Sequence, residues 1–185
     1  MRVFHLLIIF VFCFYGCNKA EKMKNKLLPE RPYEKAQIDK FYWAYSDWNY
    51  TMFPLIKPIV LMQYQGNKDW WLNTSKINGQ LTDISPVESF NVSQNYIYGY
   101  KPIEKDLDNP TFDSPEKWFI VNTKEKKLTF FDKETEFKAE LKKLNLPEEM
   151  LTPDAVYEQY KTDPVLPWFP EDIKKQLEEA KEAKK

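Results

Sequence analysis

Trp118-Phe119-Ile120-Val121-Asn122, Thr123-Lys124-Glu125-Lys126-Lys127, Leu128-Thr129-Phe130-Phe131 is an apolar run, a polar pentapeptide and a second apolar run. That is the grammar of a β-hairpin. Successive strand side chains point to opposite faces, so Trp118 and Ile120 share one face and Phe119 and Val121 the other. With both faces apolar, the strand 118–122 is expected at the centre of a sheet, covered on both sides.

Upstream, residues 87–92 and 96–101 form a second strand pair around the polar turn Ser93-Gln94-Asn95. Before them Pro54 and Pro58 bracket an extended entry to a strand over 59–65. Gln65-Gly66-Asn67 supplies a turn, and residues 69–73 return alongside. A polar, proline-containing loop spans 102–115. Ile38, Phe41, Tyr42 and Tyr45 stand at i, i+3, i+4, i+7, the spacing of a short helix.

Downstream the period changes to helical. Asp132 is placed to cap a helix whose Phe137, Leu141 and Leu144 form one stripe, with acids early and lysines late as the macrodipole favours. Pro147 is expected to end it. Thr152-Pro153 opens a second helix through Tyr160, and Pro170 a third carrying Ile173 and Leu177. The reading is an α+β fold, an antiparallel sheet of about five to six strands with short helices mainly at the C-terminus. Residues 33–185 are read as one domain with a frayed end over 178–185.

The order Tyr96-Ile97-Tyr98-Gly99, then Trp118-Phe119-Ile120-Val121 and a hairpin, then Glu136, Phe137 and Leu141 on a helix resembles small bacterial lipoproteins of unknown function. The resemblance covers about residues 87–146 and implies a fold, without a catalytic residue.

The amino-terminal segment points the same way. Arg2 precedes a nearly continuous apolar stretch from Leu6 to Tyr15, followed by Gly16 and Cys17. This is the layout of a secretory signal, and it is little more than half the roughly 20 residues that span a bilayer. Gly16-Cys17 resembles the end of the bacterial lipoprotein signal, in which the cysteine becomes amino-terminal and acylated. The resemblance implies a leader over 1–16 and lipid on Cys17, and the Lys-rich composition that follows reads as a flexible tether over 17–32. Each buried methylene contributes about 0.8 kcal/mol, so several acyl chains anchor permanently. Asn18 rather than Asp after the cysteine implies the outer membrane.

Processing would also remove chemistry. His5 is the one histidine, and the two cysteines are Cys13 and Cys17. A mature chain starting at an acylated Cys17 would hold neither imidazole nor free thiol. Histidine-dependent nucleophiles, cysteine nucleophiles and Cys/His zinc sites need those groups. The glycines Gly16, Gly66, Gly79 and Gly99 are too dispersed for a phosphate-cradling loop. With 27 basic and 28 acidic residues, the chain lacks a nucleic-acid footprint.

The expectation is a non-enzymatic, cofactor-free, lipid-anchored envelope protein that binds another envelope or exported protein, with an immunity or inhibitor role within that class. Tyr42, Trp43, Trp48, Trp71 and Trp168 are the candidate contact residues, since aromatic rings give large contact area at low entropy cost. Packing of the 41–50 aromatics over the sheet is the structural alternative. A glycan is the alternative ligand, bound by Tyr42, Trp43 and Trp48 or cleaved by carboxylates among Asp106, Asp108, Asp113 and Glu116.

Overall fold

Lys117–Asn122 and Lys127–Phe131 pair antiparallel with Trp118 opposite Phe131, the expected hairpin. The computed structural model describes residues 33, 36–44, 49–75, 83–104 and 114–183. Its strands are β1 (Tyr50–Pro54), β2 (Val60–Tyr64), β3 (Trp71–Leu72), β4 (Ser89–Ser93), β5 (Tyr96–Lys101), β6 (Lys117–Asn122) and β7 (Lys127–Phe131). The helices are α1 (Glu134–Lys143), α2 (Pro153–Thr162) and α3 (Glu171–Glu182), so the class is α+β with its helices toward the C-terminus.

The single sheet of five to six strands is corrected to two antiparallel sheets among the described residues, β1-β2-β3 and β4-β5-β6-β7. Edge chemistry explains the division. The outer edge of β3 is taken by Ile84, which exchanges backbone hydrogen bonds with Leu72. The outer edge of β4 is taken by Leu151, which does the same with Phe90 at 2.9 and 2.7 Å. Neither edge is left to join the other sheet.

The inner faces of both sheets meet in one apolar cluster, where Phe53, Leu61 and Leu72 of the first sheet join Phe90, Val92, Phe119 and Val121 of the second. Val156 and Tyr160 of α2 and Ile173 and Leu177 of α3 complete it. Fully burying each such apolar side chain contributes about 1.5–3 kcal/mol, which is what holds sheet and helices together. The opposite face of the larger sheet carries Tyr98 and Ile120, packed with Phe137 and Leu141 of α1. Strand β6 is therefore interior and covered on both faces, as its residues require.

Local differences have local causes. Asp132 does not cap α1: its carboxylate pairs with Lys117, and Lys133 stands at the cap without a side-chain hydrogen bond. The helix ends at Lys143, before Pro147, because Asn145 takes the left-handed conformation (φ 52°) and Leu146 N–H closes onto Leu141 O at 2.9 Å. Thr152 does flank α2, again without a side-chain cap. The helix expected around 38–45 is a 3-10 turn, Lys40–Tyr42, started by the Asp39 side chain accepting from Phe41 N–H. Tyr45 lies outside the described residues. At the other end, α3 continues through the expected frayed segment to Glu182, since Ala180 packs on the core and Lys181 pairs with Asp163 at 3.0 Å.

Candidate binding site

Two surfaces bring together neighbouring aromatic side chains that the packing leaves half-open. The first is the outer face of the three-stranded sheet. Strand register sets Tyr50 opposite Tyr64, Met52 opposite Met62, and Met62 opposite Trp71. Alternation sends Phe53, Leu61 and Leu72 into the core and turns these residues, with Val60, outward. Tyr64 is 44% exposed and the others are half-buried. Tyr64 and Trp71 meet edge to face at 5.4 Å, and none of the six residues belongs to either core cluster. The Trp71 indole N–H is buried without an acceptor among the described residues.

The second is a groove of about 290 Å³ along one flank of α1, on the outer face of the larger sheet. Tyr100 and Trp118, cross-strand neighbours in β5 and β6 with ring centroids 5.0 Å apart, form its aromatic lining together with Phe137 of α1. The Tyr100 hydroxyl donates to Glu116 Oε2 at 2.8 Å. Glu116 holds the phenol proton and pushes the Tyr100 pKa up to about 12, with burial and Glu88 adding to the effect. On the same face Tyr98 donates to Pro147 O at 2.9 Å, and burial raises its pKa to about 12 as well. On the opposite face of β5, Lys101 is buried, its ammonium donating to Ser114 Oγ at 2.9 Å with Glu104 at 3.8 Å, and burial lowers its pKa.

These tyrosines set an alkaline limit. The folded state keeps two phenol protons that an unfolded chain releases near pH 10, so their stabilisation is complete below pH 10 and is lost as pH rises toward 12. Denaturation midpoints should fall across that window. Glu116→Gln should lower the Tyr100 pKa while leaving that of Tyr98 in place, read by ¹³Cζ chemical shifts. A Tyr100 titration unchanged by Glu116→Gln would remove the carboxylate as its cause.

The residues singled out from sequence are dispersed. Tyr42 and Trp43 are buried in the core, where Tyr42 stacks edge to face on Phe169 at 5.0 Å and Trp43 donates to Ile38 O at 2.9 Å. As members of an open platform they are corrected: their rings complete the core. Trp168 is half-buried and committed to Pro54 O at 3.1 Å and to the Phe90 ring. Trp71 lies on the outward face. Of the consecutive pair it is the more open ring, while Trp70 is buried and bound to Asp154 at 2.7 Å. Glu116 stands beside the groove. Cys17, Trp48, Asp106, Asp108 and Asp113 lie outside the described residues.

Sequence reasoning missed Met52, Val60, Met62 and Tyr64 as a surface and had Tyr50 only within the 41–50 aromatic cluster, although their period of two is visible once β1 and β2 are paired. It assigned Trp118 to the core and Tyr100 to a strand alone. Among the described residues no helix is long and apolar enough to cross a membrane, and no three His, Cys, Asp or Glu side chains gather as metal ligands. No protein-family model, curated protein or solved structure matches the chain.

Proposed function

We propose that the protein is a lipid-anchored cell-envelope lipoprotein, held in the outer membrane through acyl groups on Cys17, that works without catalysis by binding another envelope or exported protein. The observation that carries the binding reading is the outward face Tyr50, Met52, Val60, Met62, Tyr64 and Trp71. Contiguous apolar patches of this kind mark protein contacts, and methionine and aromatic residues are enriched at their cores. The Trp71 indole N–H, buried without an acceptor among the described residues, supports it: an unsatisfied buried donor costs about 1–3 kcal/mol, and such sites call for a compensating role. An immunity or inhibitor role falls within this reading. Burial of Tyr42 and Trp43 removes two of the three rings on which the glycan-platform alternative relied.

Two measurements test the proposal. Mass spectrometry of the amino terminus should find an acylated Cys17; an unmodified amino terminus would end the lipoprotein reading. Tyr64→Ser combined with Trp71→Ser should weaken partner retention by immobilised full-length protein at least about tenfold, since buried aromatic anchors contribute most of an interface's energy. Equal retention by parent and variant, at matched folding, would place the interface elsewhere.

A further inference from the structure

Each flank of α1 holds a groove lined by two acids and one lysine, and the two differ in which rings line them and in the charges set around the lining. The groove on one flank, about 310 Å³, is lined by Tyr96, Phe131, Asn122, Glu125, Lys127 and Glu140 among others, without a tryptophan. Its carboxylates are offset by Lys127 and by Lys143, which bonds Glu140 at 3.1 Å. The groove of about 290 Å³ on the other flank holds the Tyr100–Trp118 pair, with Glu134 and Glu148 on its wall. Glu116 touches Tyr100, and Glu88 acts on Tyr100 electrostatically. Against these four carboxylates, among the described residues, stands Lys138, bonded to Glu134 at 2.8 Å and attracted electrostatically by Glu148.

An aromatic face presents the negative side of its quadrupole, and tryptophan does so most strongly. Carboxylates set around a concave surface with apolar walls deepen that potential and draw cations in. The positive end of the α1 dipole works against this, but Glu134 and Glu136 occupy its first turn and offset it. The volume lies at the small end of the range for ligand sites, suited to one long side chain rather than a drug-sized molecule.

We propose that the Tyr100–Trp118 groove seats a cationic side chain, an arginine or a lysine, from an extended segment of the protein partner. The inference rests on the protein-binding reading and names the chemistry of what is bound. A planar guanidinium would stack on Trp118 while its N–H groups bond Glu134 and Glu148.

The test uses the full-length protein in a polyoxyethylene detergent, labelled with 5-fluorotryptophan, the Trp118 resonance being assigned with Trp118→Phe. The probes are acetyl-Ala-Arg-Ala-Arg-amide, the same peptide with citrulline in place of arginine, and cellotetraose. The arginine peptide should shift the Trp118 resonance saturably, and the citrulline peptide should bind at least tenfold more weakly. Glu134→Gln with Glu148→Gln, both at exposed positions, should weaken the arginine peptide at least fivefold with the denaturation midpoint retained. No Trp118 shift, equal binding of the citrulline peptide, or saturation by cellotetraose alone would overturn the proposal, the last assigning the groove to a glycan. Arginine binding together with undiminished partner retention by the Tyr64→Ser, Trp71→Ser variant would leave the groove standing and count against the apolar face. Failure here with that retention weakened would do the reverse.

Discussion

Gly99→Ala is expected to destabilise the domain by about 3 kcal/mol or more, at the upper end of overpacking costs. A Cβ at position 99 would stand 2.2 Å from the backbone oxygen of Ser89, 2.8 Å from Phe119 Cζ and 3.0 Å from Phe90 Cα. The ring end of Phe119 has some freedom, but the other two atoms belong to the neighbouring strand. Gly99 is paired with Phe90 on one side and Phe119 on the other, so relief requires breaking the β4–β5–β6 ladder. In a domain of this size each kcal/mol moves the melting temperature by about 2–4 °C, so a drop of roughly 6–12 °C follows. A change below about 2 °C would mean that β4 and β5 are not so closely apposed. Gly66 is the contrast: it has φ 84° and open space, so alanine there meets backbone strain rather than a clash.

Phe90→Ala is expected to cost about 3–5 kcal/mol, the range for deleting a buried aromatic ring. Phe90 of β4 is fully buried and meets two rings, Phe53 of the smaller sheet at 5.7 Å and Trp168, between α2 and α3, at 6.0 Å. Removing it opens the place where the two sheets share a core. Phe130→Ala, at a position 42% exposed on the edge strand β7, should stay within about 0.5 kcal/mol. Urea denaturation of both variants reads the difference, and similar midpoints would contradict the shared core.

Much of the fold was legible because its signals are local. The β6–β7 hairpin announces itself by two apolar runs around a charged pentapeptide, and β5 by Tyr96 to Lys101 after a polar turn. Helices α2 and α3 begin where Pro153 and Pro170 place them. What was not legible is decided by distant partners. Leu151 pairs with Phe90 across sixty residues of chain and closes an edge, and no window around either residue announces this. β1 was hidden because Tyr50 continues an aromatic run that begins at Phe41, and β3 because two residues carry no period.

The candidate site was less legible for the same reason. Density of aromatics drew attention to 41–50, yet ring count does not distinguish a core from a surface: Tyr42 and Trp43 turn inward while Trp71, one residue from buried Trp70, turns outward. The outward face exists only once β1, β2 and β3 are laid side by side in register. The groove exists only once α1 lies on the sheet beside Tyr100 and Trp118.

Site-specific photocrosslinking in intact cells tests the binding claim most directly. A benzophenone amino acid in place of Tyr64 should yield one discrete adduct with an envelope or exported protein. The same probe in place of Lys175, exposed on α3, should yield none. No adduct from position 64, or an identical pattern from both positions, would contradict the account.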